Sequence, residues 1–330
     1  MQRRWWIKGV LVGLLAIGLL VPLSMIRGLV AERAAARNQV LDEMQRHAVA
    51  GQRLIGPLLV LPYTEQVMVK HEDGTVTPET QAHTLRILPQ QLDIEAQLGT
   101  ESRWRGIYEA LFYQGPVRLK GYFSPAAREL QPPAGSGPVT WGTPYLALGL
   151  GDSRGLRQTP VLRWNGQNLG FQPGSVLASL GSGIHAELPI AVRSGGEWRF
   201  EVALDLQGMS DFSWVPVGRE TRVRVNSLWP HPSFQGASLP TSRTISAHGF
   251  DAVWKSNEMS NNVATLLQAA EPALENEAVG VSFIRPVDIY QQSERSVKYG
   301  FLFVLLAFGA FGLFEVLKKL PAENSGSGYP

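Results

Sequence analysis

Cysteine is absent from all 330 residues. With it go disulfides, a thiolate nucleophile and thiolate-ligated zinc. The compartment stays open, because an exported domain of this size needs no covalent staple. Charge is scarce as well: Asp, Glu, Lys and Arg make up 18% of the chain, and the formal net charge is +2. No Lys/Arg block stands out and acids lie between the basic residues, which excludes nucleic acid as a partner on electrostatic grounds. Paired metal-ligand spacing is missing too. His185, His231 and His248 are neither set i, i+4 on a helix nor otherwise paired at metal-ligand distance, so structural donor roles outweigh a metal site. No metal and no cofactor is expected. No internal repeat of fixed period is present.

What the chain has instead is a long uncharged run. Gly9-Val-Leu-Val-Gly-Leu-Leu-Ala-Ile-Gly-Leu-Leu-Val-Pro-Leu-Ser-Met-Ile26 lies between Lys8 and Arg27, with Trp5 and Trp6 where an aromatic belt would sit. At about 1.5 Å per residue it comes close to crossing a hydrocarbon core of about 30 Å, where only a helix satisfies the backbone. A cleavable secretory signal is the alternative, though Leu29-Val30-Ala31 makes a poor cleavage site. Either reading places the residues beyond the run outside the cytoplasm. Arg3, Arg4 and Lys8 favour a cytoplasmic N-terminus. A second uncharged run, Tyr299 to Phe314, becomes long enough to span once Val316 and Leu317 are added; Glu315 lies near the interface and Lys318-Lys319 suit a cytoplasmic end. Glu315 as a buried functional carboxylate is the alternative.

Between the runs the texture changes twice. Residues 31 to 46 are rich in Ala, Glu, Arg and Gln, which extends the first helix as a stalk. After Gly51 the period falls to two. Leu58-Leu59-Val60-Leu61 reads as a short buried strand between Pro57 and Pro62, and Asp73-Gly74 as the turn of a hairpin. Asn165-Gly166 between Val161-Leu-Arg-Trp164 and Gln167-Asn-Leu-Gly-Phe171 is the strongest hairpin signal in the chain. Gln131-Pro-Pro-Ala-Gly-Ser-Gly-Pro138 reads as a boundary. Helix returns in 257–271, and Pro286 suits the first turn of a second stalk, 287–298.

The expected fold is therefore mainly β with flanking helices: an antiparallel, sandwich-like periplasmic region of two subdomains between two transmembrane helices. The divisions are a cytoplasmic N-terminus at 1–8, the first transmembrane helix at 9–30 and a stalk at 31–50. Two β subdomains come next at 51–131 and 139–256, then a helical return and stalk at 257–298. The second transmembrane helix covers 299–317 and a cytoplasmic tail 318–330.

Chemistry is thin. Gly151-Asp152-Ser153 is the shortest form of a lipase or esterase nucleophile motif, but no Asp-x-x-His stands after it, and Asp152 in a glycine-rich turn suits bonding to its own backbone. Gly181-Ser182-Gly183 lacks the spacing of a nucleophile elbow. Trp229-Pro230-His231-Pro232 is stiffened by its prolines and reads as a fixed corner, or as a loop presenting Trp229, His231 and Phe234 to a ligand or partner.

Several stretches together resemble the CreD family of inner-membrane proteins: Leu54-Ile-Gly-Pro-Leu-Leu-Val-Leu-Pro62, Arg105-Gly-Ile-Tyr108, Gly151-Asp-Ser-Arg-Gly155, Gly183-Ile-His185, Ser227-Leu-Trp-Pro-His-Pro-Ser-Phe234, Gly249-Phe250 with Trp254, and Tyr290-Gln-Gln-Ser-Glu-Arg295 running into Phe314-Glu315. The resemblance implies a role in bacterial cell-envelope integrity, control by a two-component sensor system, and a link to envelope stress including β-lactam challenge and colicin tolerance. It brings no agreed catalytic activity, so no catalytic residue is assigned. Family members usually continue with several more membrane helices; the ending Ala-Glu-Asn-Ser-Gly-Ser-Gly-Tyr-Pro implies a shortened form or an added tail. The expected role is non-enzymatic. The expected partners are the lipid bilayer and other envelope proteins or cell-wall glycan, met through a patch of Trp229, His231, Phe234, Asp152, Arg154 and His185. The alternative is an envelope hydrolase or glycan-binding enzyme using residues near Asp152, His185 and His231. That alternative requires Ser153, Asp152 and one of those histidines to converge on a cleft. A transporter component is a third reading. Oligomeric state is not legible.

Overall fold

A computed structural model describes residues 2–71, 75–132, 137–194, 196–267, 274–284 and 289–317. The chain divides into two units: residues 1–40 with 285–330, and residues 41–284.

The first unit is helical. Gln2–His47 is one continuous helix of 46 residues that carries Pro22 inside it. Thus the apolar run and the expected stalk form a single rod whose last turns pass into the second unit. An 18-residue window within its Gly13–His47 part has a mean hydropathy of 2.1, long and apolar enough to cross a membrane. The Ile289–Leu317 helix is its companion. The apolar stretch there, Lys298–Phe311, is shorter than a full span among the described residues. The two helices meet where Gly300 faces Leu23, a Cβ at Gly300 falling 3.4 Å from Leu23 Cδ1. Pro286, the start of the expected second stalk, the 318–330 tail and the side chain of Glu315 lie outside the described residues, as does the tip of the first hairpin at 72–74.

The second unit is β. Two mixed sheets of nine strands each bury their inner faces in one shared core. The first sheet runs in the order Gln172–Pro173, Gly183–Glu187, Tyr145–Leu150, Gln52–Lys70, Asp211–Val215, Val279–Phe283, Pro232–Gly236. Val76–Ile87 and Val139–Trp141 also pair with Gln52–Lys70. The second sheet runs Ser242–Ser246, Gly249–Asn257, Glu220–Ser227, Gln91–Gln97, Tyr108–Phe123, Trp198–Met209, Val161–Trp164, Gln167–Gly170, with Gly99–Arg105 on Tyr108–Phe123. Aromatic rings link the two: Tyr113 meets Phe212 and Phe283, Trp214 meets Trp254, and Phe234 meets Phe250.

The β character is as expected, with three differences. First, the pairing is not wholly antiparallel: Gln52–Lys70 runs parallel to Asp211–Val215, and Gln91–Gln97 parallel to Glu220–Ser227. Second, strands from 51–131 and 139–256 alternate within both sheets, so the two stretches form one unit. The boundary at 131–138, of which 133–136 lie outside the described residues, is a connection across that unit. Third, 257–298 is not uniformly helical. It holds a short 3-10 turn, Glu258–Ser260, one helical turn, Val263–Leu266, and the fully buried strand Val279–Phe283. Its asparagines divert the backbone. Asn257 Oδ1 accepts from Met259 N at 3.0 Å and Asn261 Oδ1 from Val263 N at 3.1 Å, local bonds that compete with a helical ladder. Met259 is fully exposed.

The short strand expected at 58–61 is the middle of the 19-residue Gln52–Lys70 strand, the spine of the first sheet. A register shift between Ile55 and Leu58 lets Pro57 sit within it. The Asn-Gly hairpin is as expected: Trp164 pairs with Gln167 across Asn165 at φ +44° and Gly166 at φ +86°.

Candidate functional site

The end of the N-terminal helix is clamped inside the β unit. A helix ends with unpaired carbonyls carrying partial negative charge, which a guanidinium can satisfy. Arg154 does so: Nη1 donates to the Arg46 carbonyl at 2.7 Å and Nη2 to that of Gln45 at 3.4 Å. The same guanidinium grips Asp152, Nη2 to Oδ2 at 2.7 Å and Nε to Oδ1 at 3.0 Å. Asp152 opens a short 3-10 turn, Ser153–Gly155, accepting from Arg154 N, and its Oδ2 also accepts from Ala50 N at 3.1 Å. The Arg154 guanidinium, with the two backbone donors, holds the Asp152 carboxyl below its ordinary value despite burial. Glu43 adds a second tie through Arg105 at 2.9 Å.

Behind the clamp lies a buried polar chain. Gln52 is 1% exposed. Its Nε2 donates to the carbonyls of Asp152 at 3.0 Å and Gln207 at 3.1 Å, while its backbone N–H donates to Tyr113 Oη at 3.0 Å. Tyr113 passes a hydrogen bond on to the Asp211 carbonyl at 2.6 Å. Burial pushes the Tyr113 phenol far above its ordinary value, so it remains a donor at any physiological pH. The Asp211 carboxylate accepts from Gln235 Nε2 at 3.1 Å and from Ser282 Oγ. Two glycines make room: a Cβ on Gly155 would stand 2.1 Å from Gln52 Nε2, and one on Gly208 2.4 Å from Tyr113 Oη.

The predicted site residues do not form one patch. Asp152 and Arg154 are brought together. Trp229 and His231 are neighbours in an edge-on ring contact of 6.0 Å, and Trp229 Nε1 donates to the Ile284 carbonyl at 3.0 Å. Phe234 turns instead into the aromatic cluster of Phe250 and Trp254, with Arg243 over its ring. His185 Nδ1 bonds the Gly174 carbonyl at 2.7 Å, and its ring stands edge-on to Tyr145. The convergence that hydrolysis requires is therefore unmet: the Asp152 carboxylate is taken by Arg154 and Ala50, and neither histidine contacts it. No cluster of three or more His, Asp or Glu side chains able to hold a metal stands among the described residues. Gln52, Tyr113 and Asp211 were missed by sequence reasoning. For Gln52 a signal existed, an amide at the head of the apolar run Leu54 to Leu61; for the other two, none did.

A family model described as "Inner membrane protein CreD" matches residues 4–324. The chain belongs to the CreD family. It is 35% identical to the inner membrane protein CreD of Escherichia coli strain K12 over 308 residues, covering 91% of this chain and 66% of that protein. The chain thus spans about two thirds of that relative's length. Among solved structures, an M1 zinc metallopeptidase from Deinococcus radiodurans covers 59% of this chain and 42% of its own, at 12% identity and a TM-score of 0.29. A two-domain mutant of an M1 zinc metallopeptidase bound to L-arginine gives 0.27 at the same identity and coverage. Scores this low establish neither a shared fold nor a shared chemistry. The stretches resembling the CreD family fall at points of structural need: 54–62 on the spine strand, 151–155 at the helix clamp, and 227–234 at the corner pinned by Trp229.

Proposed function

We propose that this chain is a membrane-anchored component of the bacterial envelope. Its β unit lies on the periplasmic side, and it sustains envelope integrity under stress through contacts with other envelope components rather than by catalysis. Membership of the CreD family over nearly the whole chain carries this reading. The unbroken helix from an apolar run into a clamped end supports it, because such a rod suits tethering a folded unit to lipid. The multi-pass, N-in arrangement belongs to the same proposal. Non-enzymatic action is favoured by the separation of Asp152, His185 and His231. The test is complementation. A strain deleted for its own copy, carrying this chain at matched membrane level, should regain wild-type survival under a cell-wall antibiotic. Survival no better than the empty vector would overturn the reading.

A further inference from the structure

The outer face of the first sheet carries a cleft of about 650 Å³, within the range usual for small-molecule sites. Its floor is the start of the spine strand. Leu54 turns into the core at 1% exposure, so Arg53 and Ile55 stand on the other face. Ser213 lies beside Arg53 in the parallel register. One wall is the turn Ala178–Leu180 with Gly181 and Ser182. That turn is stiffened from beneath by the buried Ser175 hydroxyl, 3.0 Å from the Leu177 carbonyl and 2.8 Å from that of Gly181. The opposite wall is Leu274–Glu277, seated on the buried Leu274. The site is therefore built largely in advance.

Its chemistry is selective. Arg53 is the one cation of the lining among the described residues; the acids there are Glu275 and Asp211, the latter with its carboxylate engaged by Gln235 and Ser282. Its Nη1 holds Glu275 Oε1 at 2.9 Å, with the arginine side chain 37% and the glutamate 74% exposed. An ion pair this open is weak and easily exchanged. Glu275 thus occupies, from within the chain, the place a ligand carboxylate would take. Ser179, Ser182 and Asn276 line the cleft beside Ile55, Leu150, Leu180 and Leu274. No aromatic ring lines it among the described residues, so the stacking platform that a glycan favours is missing there.

We propose that this cleft binds short aliphatic peptides ending in a free carboxylate, with Arg53 exchanging Glu275 for the peptide terminus. The inference stands apart from the envelope role above, and either can fail without the other. The test is calorimetric titration of the full chain in detergent with acetyl-trialanine and with its C-terminal amide. The acid should bind and the amide should bind about tenfold more weakly or worse, the scale of one charge-assisted contact. Arg53→Met should lose about as much. Glu275→Ala should bind the acid several-fold more tightly, because the internal competitor is gone. That opposite sign keeps the test decisive should Arg53→Met fail to fold. Equal binding of acid and amide, no heat from either at millimolar concentration, or weaker binding by Glu275→Ala would each overturn the proposal.

Discussion

Gln52 is an amide sealed from water at the head of an apolar strand, and its stability cost is offset by the two carbonyls it serves and by the Asp152 N–H that donates to its Oε1 at 3.4 Å. Gln52→Leu keeps the volume but strips the carbonyls of Asp152 and Gln207 of their donor. A loss of about 1–3 kcal/mol is expected, read as a lower thermal midpoint of the detergent-solubilised chain. Gly155→Ala drives a methyl against the same amide. Combined with Gln52→Ala it should destabilise by less than the sum of the two single changes, because the truncated side chain vacates that space. A strictly additive double mutant would show that the contact is not shared. Asp152 gives a pH signature. Its folded value is depressed, chiefly by the Arg154 hydrogen bond. Its contribution is therefore complete above the ordinary value of 3.8 and is lost as pH falls through the lower folded value. Asp152→Asn should lower the urea midpoint at pH 7 and converge on the wild type as the medium is acidified below that range. A constant offset at every pH would contradict it.

At the scale of elements, the 227–234 corner separates two residues that sequence alone had grouped. His231 is exposed, whereas Phe234 packs against Phe250 and Trp254. Phe234→Ala should cost about 2–4 kcal/mol through cavity formation, and His231→Ala less than about 0.5 kcal/mol, both measured by denaturant unfolding. The corner shows what local pattern encodes. Alternation marked most strands, because side chains on a half-buried sheet must alternate, and Asn165-Gly166 fixed a turn because it needs two positive φ values. What period two cannot encode is the partner. The parallel pairing of Gln52 with Phe212 spans 160 positions of chain, and the buried Val279–Phe283 strand, which alternates Val279, Val281 and Phe283 with Gly280 and Ser282, says nothing in its five residues of the two strands it joins. The clamp was half legible. Asp152 stood out by motif and its bond to its own turn was foreseen, but the partner carbonyls at Gln45 and Arg46 lie over a hundred positions away.

At the scale of the whole molecule, the missing cysteine turns into a tool. Any single cysteine introduced is the only thiol in the chain, so labelling reports its side of the membrane without ambiguity. Thr80 is exposed on the ribbon formed by Gln52–Lys70 and Val76–Ile87, and Gln2 opens the N-terminal helix. With the β unit outside and the N-terminus inside, an impermeant maleimide should label Thr80→Cys in spheroplasts with an intact inner membrane. It should reach Gln2→Cys only after lysis. Labelling of both before lysis would place the N-terminus outside; labelling of neither would keep the β unit in the cytoplasm. Intact mass of the Gln2→Cys protein closes the remaining route. A product beginning beyond Ala31 would mean that the first helix is removed on export. The clamp formed by Arg154 and Asp152 would then hold only a helical remnant, and the helix could not tether the unit to lipid.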